Sequence, residues 1–234
     1  MRLFAIGDLH LPGQQEKPMD VFGPQWNGHF FRLSGAWREK VAPEDTVLIP
    51  GDISWAMTME QVRDDLQAIG ELPGRKILLK GNHDYWWSSL TRVRSALPAG
   101  MSALQNDAVD IGPAVICGTR GWMIPTGDTL LSEPDEKLYR REAVRLSISI
   151  DAAEKIARGR PVIAMFHFPP LYGDGQTSAF SDLLEERGIR YAVYGHLHGK
   201  GIAAAFNGTL NGVRYQLVSA DGIDFSPVEI LSFD

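Results

Sequence analysis

"RYAVYGHLHGK", residues 190–200, runs from a short apolar stretch, Tyr191 to Tyr194, into two histidines one residue apart between two glycines. A run of this length, rich in aromatic and β-branched side chains and bounded by glycine, reads as a buried strand. Neither a sheet nor a core asks for imidazole at its tip, and the chain has only six histidines. The same arrangement recurs upstream: "RLFAIG" before Asp8, "TVLIPG" before Asp52, "KILLKG" before Asn82 and "PVIAMF" before His167. Buried strands that each end in a polar cluster set the frame from which the rest of the fold is read.

Helical patterns lie between them. Thr58 followed by Gln61 resembles a capping box, with Val62, Leu66 and Ile69 on one face before Pro73-Gly74. After "SEPDEK", Tyr139, Ala143, Leu146, Ile150, Ala153 and Ala157 recur at four- and three-residue steps, one buried helical stripe that Gly159 and Pro161 end. "SAFSDLLEERG" buries Phe180, Leu183 and Leu184 and closes at Gly188. Strand and helix in alternation predict parallel pairing with right-handed crossovers. Two Asn-Gly pairs among short β-rich runs after Phe206 predict hairpins instead. The expected fold class is α/β, with strands from both halves forming two packed sheets and helices outside, in one domain spanning residues 1–234. Residues 11–29 and 119–134 read as long loops, which in compact domains are functional or mobile.

At 44% hydrophobic and 22% charged residues, the composition is that of a globular protein with a sizeable core. A net charge of -6 argues against a broad basic surface for phosphate backbones, so nucleic acid is not an expected partner. The single cysteine, Cys117 in "AVICG", supplies neither a disulfide nor a thiolate zinc site and reads as a buried, inert thiol. "MRLFAIGDLH" lacks the apolar core of a signal peptide, and no apolar run reaches a membrane span. A soluble, cytoplasmic protein without a membrane partner is the expectation. The "NGT" at Asn207 reads as a turn.

The residues after the strands form one collection: Asp8 and His10, Asp52, the run Asn82-His83-Asp84, His167, then His196 and His198. In an open α/β sheet the ligand crevice lies beyond the carboxyl ends of the strands, so residues distant in sequence converge there. Carboxylates, an amide and imidazoles together suit Mn, Zn or Fe better than Ca or Mg. The spacings Asp8-x-His10 and His196-x-His198 fit a backbone that turns to aim both side chains at one centre. Each residue alone has a plainer reading, a turn aspartate or a hydrogen-bonded histidine. Buried together without a cation, they would leave uncompensated polar groups.

The ordered set "GDLH", "PGDI", "KGNHD", "FHFPP" and "GHLH" resembles the calcineurin-like metallophosphoesterase superfamily over about residues 3–198. The resemblance implies a four-layer α/β/β/α sandwich, two mixed sheets flanked by helices, around two divalent metal ions (Mn, Fe or Zn). It places Asp8, His10, Asp52 and His198 on one ion and Asp52, Asn82, His167 and His196 on the other, with Asp52 bridging. The activity implied is phosphoester hydrolysis: a hydroxide shared by the ions attacks phosphorus in line, on a small phosphodiester or phosphomonoester. His83 takes the part of general acid, with Asp84 orienting and charging its ring. The second motif continues as "GDISWAM", without the Asp-Arg-Gly of the protein phosphatase branch, and the third ends in Asp84 rather than Glu. Both departures point to the bacterial-type phosphohydrolases and phosphodiesterases. A non-catalytic metal-binding scaffold of the same fold and a nuclease stand as alternatives.

Substrate contacts are less determined. Arg120 in "GTRGW" is either a bidentate phosphate clamp or a surface arginine. Trp55 and Tyr85, with Trp26, Trp86, Trp87 and Trp122, either stack a base or aryl group or fill the sheet. His29 stands outside every motif and reads as structural or solvent-exposed.

Overall fold

The computed structural model describes residues 1–15, 19–126, 130–173 and 175–233. A first sheet contains β1 (Arg2–Ala5), β2 (Thr46–Ile49), β3 (Arg75–Leu79) and β4 (Met101–Leu104), all parallel. Its far edge is β11 (Val228–Ser232), antiparallel to β1. The second sheet runs in the order β5 (Val109–Asp110), β6 (Val115–Thr119), β7 (Val162–Phe166), β8 (Tyr191–Tyr194), β10 (Val213–Leu217) and β9 (Gly208–Leu210). Its inner four strands are parallel, and β5 and β9 close the edges antiparallel.

Side-chain alternation along each strand builds the layers. Leu3, Ala5, Leu48, Ile77 and Leu79 of the first sheet meet Ile116, Ile163, Met165 and Val193 of the second in one buried cluster between the sheets. The alternate residues Phe4, Val47, Ile49 and Leu78 face outward, under Leu33 and Trp37 of α1 (His29–Lys40), Leu66 and Ile69 of α2 (Arg63–Gly70) and Val93 of α3 (Leu90–Ala96). On the other side, Ala164, Phe166, Ala192 and Tyr194 lie under α4 (Glu133–Ala157) and α5 (Ala179–Glu186). The layering is therefore helix, sheet, sheet, helix.

The stripe read from sequence is the buried face of α4: Leu146, Ile150, Ala153 and Ala157 are buried, and the Ser132 hydroxyl caps its first turn by accepting the Asp135 N–H. Buried Glu142 and Ser149 share that face, which hydropathy alone did not reveal. Ser149 Oγ accepts the Gly118 N–H and donates to Asp107 O, tying the helix to β6. The Thr58–Gln61 box is displaced: Thr58 Oγ1 accepts the Gln61 N–H, but the Gln61 amide oxygen accepts from Met57, and regular helix begins only at Arg63. In the tail, Asn211 and Gly212, both at positive φ, form the β9–β10 hairpin turn. Asn207 instead accepts the Leu217 N–H with its side chain. Hairpins do not account for the rest of the tail: β10 lies parallel to β8, and β11 crosses to the first sheet.

Gly7 joins the two sheets at one end. Its N–H donates to Val218 O at 2.7 Å, and its carbonyl accepts from Ala220 at 3.0 Å. The carboxyl ends of β1, β2, β3, β7 and β8 gather at this end. Among the described residues, no helix is long and apolar enough to cross a membrane.

Candidate metal centre

Four of the residues singled out above, Asp8, His10, Asp52 and His196, have φ between 44° and 74°, the left-handed region that L-residues avoid. Each such residue costs roughly 1–2 kcal/mol of backbone strain, so their collection at the strand tips needs a compensating role. Within the pairs Asp8-x-His10 and His196-x-His198 the backbone thus leaves the extended strand conformation, in keeping with their spacing.

The donor atoms converge in two groups. His198 Nε2 lies 3.3 Å from His10 Nε2 and 3.4 Å from Asp8 Oδ1. Asn82 Oδ1 lies 2.6 Å from His167 Nε2 and 3.0 Å from His196 Nδ1. Between them, Asp52 Oδ2 is 3.8 Å from His10 Nε2 and 3.5 Å from His167 Nε2. Asp8, His10 and His198 could hold one metal ion by their mutual distances, and so could Asp8, Asp52 and His167.

Neighbouring groups fix how these side chains point. His198 Nδ1 pairs with Asp221 Oδ1 at 2.8 Å, and His167 Nδ1 with Pro50 O at 3.0 Å, so both rings turn Nε2 inward. Both Asp8 oxygens accept the His196 N–H, at 3.0 and 3.1 Å, and Asp52 Oδ1 accepts the His83 N–H at 2.8 Å. Sequence reading missed Asp221, and it missed the glycines that make room. A Cβ at Gly81 would stand 2.1 Å from Asp52 Oδ1, and one at Gly195 would stand 2.3 Å from Asp8 Oδ2.

Burial sets the charges. It pushes His10 and His196 down to about 3, leaving neutral rings able to donate a lone pair. Burial opposes charge on Asp8 as well, but His198, His167 and His10 hold its carboxyl below the ordinary range. Burial and the Asp8 charge raise Asp52 to about 8. His198 is raised to about 10 because Asp8 and Asp221 outweigh its burial. A divalent cation between these groups would let Asp52 ionise beside Asp8 and His198 release its Nε2 proton, so the carboxylates and imidazoles together form a donor set that fits such an ion. His10 Nδ1, buried with no hydrogen-bond partner among the described residues, shows how strongly this cluster desolvates its members.

The remaining residues divide. His10, Asp52, His83, His196 and His198 line a cavity of about 120 Å³ whose other wall is Met19, Phe22, Trp26 and Trp55. Trp55 stacks on the His10 ring with centroids 4.8 Å apart and lies 4.6 Å from the His83 ring, so it is at once packed and at the cavity wall. Tyr85 is exposed, 6.2 Å from the His83 ring. Trp86 and Trp87 are buried in the core. His29 is structural, its ring nitrogens pairing with Trp26 O and Leu9 O. Asp84 is buried behind these side chains. Its two oxygens accept N–H groups from Ile53, Ser54, Gly81 and the Trp86 indole, which braces the β2 and β3 loops against each other. Arg120 lies outside the lining of this cavity: its guanidinium stacks over Trp122 at 4.7 Å and lines a neighbouring cavity.

Comparison with known proteins gives this geometry a context. The family model described as calcineurin-like phosphoesterase matches residues 1–200. The Gene 66 protein of Mycobacterium phage D29 is 42% identical over 86 residues, which make up 35% of this chain and 40% of the phage protein. That of phage L5 is 38% identical over 77 residues, 33% of this chain and 37% of its own length. The chain thus matches about two fifths of these curated relatives' lengths. A phosphopantetheinyl hydrolase from Mycobacterium tuberculosis superposes with a TM-score of 0.60 at 17% identity, covering 99% of this chain and 96% of the hydrolase. At that identity the likeness is one of fold.

Proposed function

The chain belongs to the calcineurin-like phosphoesterase family, and from that premise we propose that it is a binuclear-metal phosphoester hydrolase acting on a small phosphodiester or phosphomonoester. The observation that carries this reading is the position of Asp52 Oδ2, between His10 and His167 and within 3.8 Å of a nitrogen of each. Asp8, His10 and His198 would hold one divalent ion and Asn82, His167 and His196 the other, with Asp52 reaching both. Bound there, two such ions lower the pKa of a water and offset charge on the phosphoryl oxygens.

The chain's own residues do the rest. His83, in the wall of the cavity, protonates the departing oxygen, its backbone anchored on Asp52 and its ring beside Trp55. Asp84 is a positioning residue: it holds the loop that carries Asn82 and His83. The apolar wall of Met19, Phe22, Trp26 and Trp55 suits an aromatic or apolar substituent on the phosphoester.

The test is the metal content of the purified protein, followed by Mn-supplemented hydrolysis of bis-p-nitrophenyl phosphate beside p-nitrophenyl phosphate. About two ions per chain with turnover of either ester is the expected result, and the preferred ester decides between diester and monoester. Absence of metal after supplementation overturns the reading. Two ions without turnover would favour the scaffold.

A further inference from the structure

Beside the metal centre, at the carboxyl ends of β3, β4 and β6, lies a second cavity of about 220 Å³. Lys80, Arg120, Arg141 and Arg145 line it, opposed by one carboxylate, that of Glu142. Glu142 is buried and already engaged: Thr119 Oγ1 donates to it, and Arg145 pairs with it at 2.6 Å. Arg141 lies 4.0 Å from the same carboxylate. Four cations against one anion leave a local excess of three positive charges on a chain whose net charge is -6. Such a pocket concentrates anions.

Its position ties it to the metal centre. Lys80 directly precedes Gly81 and Asn82, and its ammonium is held by Trp87 O at 3.0 Å. Arg120 precedes Gly121, and its carbonyl accepts the N–H groups of His167 and Phe168, at 3.2 and 2.9 Å. Lys80 thus projects from the loop that carries Asn82 and Arg120 from a loop hydrogen-bonded to the segment that carries His167, while Arg141 and Arg145 reach the cavity from α4. The half-buried guanidinium of Arg120 is stacked on Trp122, so it is pre-set rather than free to follow solvent.

We propose that this cavity binds a second anionic group of the substrate, a phosphate or equivalent dianion separate from the phosphoester cleaved at the metals. The proposal deepens the hydrolase reading and rests on it for the word substrate. It narrows the substrate class to phosphoesters that carry another phosphate.

The test compares two chromogenic diesters, thymidine 5'-(p-nitrophenyl phosphate) with and without a 3'-phosphate, on the metal-loaded full chain. The phosphorylated ester is expected to show a KM at least tenfold lower. That preference should shrink at least fivefold in Arg141→Gln and vanish in the double variant Arg120→Gln, Arg141→Gln. Arg63→Gln, on α2 in the opposite helical layer, should keep it. Raising the salt should weaken the preference, as exposed charges are screened within about 10 Å at 0.1 M. Equal KM values in the wild type, or a preference that survives the double variant, overturn the proposal. If neither diester is cleaved, the hydrolase reading is decided separately by turnover of p-nitrophenyl phosphate. The cavity is then judged by titration calorimetry of thymidine 3',5'-bisphosphate against thymidine 5'-monophosphate, where equal affinities overturn it and a preference lost in the double variant upholds it.

Discussion

Asp52 faces two ways, Oδ1 to the His83 N–H and Oδ2 to the gap between His10 and His167. Asp52→Asn keeps the shape and removes the charge, so both ions should be weakened together; metal analysis is expected to find less than half the wild-type content. His83→Ala removes a ring from the cavity wall without touching the donor atoms. It should retain its metals and lose turnover by about a hundredfold, most with poor leaving groups. The opposite pattern, metals lost with His83 and kept with Asp52, would exchange the two roles. Asp221→Ala probes orientation: without the Nδ1 partner, His198 can turn, and metal affinity should fall by about 10–100-fold while saturating metal restores most of kcat. The convergence of these candidate ligands was legible because imidazole and carboxylate at strand tips have no packing reason to be there. Asp221 was not, since it lies 23 residues beyond His198 in an Asp-Gly pair that reads as an ordinary turn. Gly81 and Gly195 were hidden in the same way: a glycine after a strand signals a turn, and only the folded distances reveal the carboxylate beside its hydrogen.

At the scale of elements, the five strands that carry the candidate ligands and the long helix followed from pattern, whereas β4, β5, β6, α1 and α3 did not. α1 carries Gly35 in its middle and buries only Leu33, Ser34 and Trp37, a stripe too sparse to stand out; α3 is short and buries Val93 alone. Lys76 escaped for a different reason. In "KILLKG" it looks like the solvent-facing start of β3, yet its side chain is 2% exposed and its ammonium donates to Gly70 O and Leu72 O at the end of α2. A lysine there satisfies carbonyls that the helix leaves open. Burial lowers its pKa from 10.5 to about 8. The folded pKa is below the unfolded one, so the fold carries the full cost of the charge below pH 8 and is relieved of it as the pH rises through 10.5. Urea unfolding of wild type and Lys76→Met across that window should therefore diverge, the wild type gaining about 3 kcal/mol relative to the variant. A difference that stays flat with pH would remove burial of the charge as the explanation.

Across the whole molecule, the candidate ligands come from both sheets: Asp8, His10, Asp52 and Asn82 follow strands of the first, and His167, His196 and His198 follow strands of the second. Between these ends the sheets are held by the apolar layer of Leu48, Ile77, Ile163 and Met165, and at the site end by the Gly7 hydrogen bonds to Val218 and Ala220. An ion bound by Asp52 and His167 therefore spans the sheet-to-sheet boundary, and separating the sheets must break its coordination. It follows that metal should stabilise the whole fold rather than a loop. A ligand at 100 times its Kd that binds only the folded state contributes about 2.7 kcal/mol. For a chain of this length that corresponds to a rise in Tm of about 5–10 °C per site. Thermal unfolding with Mn and with chelator should differ by at least that amount, as one cooperative transition followed by near- and far-ultraviolet circular dichroism together. Asp52→Asn should abolish most of the shift, while His83→Ala should keep it, because His83 is not among the candidate ligands. A metal shift confined to the near-ultraviolet signal, with the far-ultraviolet midpoint unmoved, would mean that the ions order the tips without clasping the sheets.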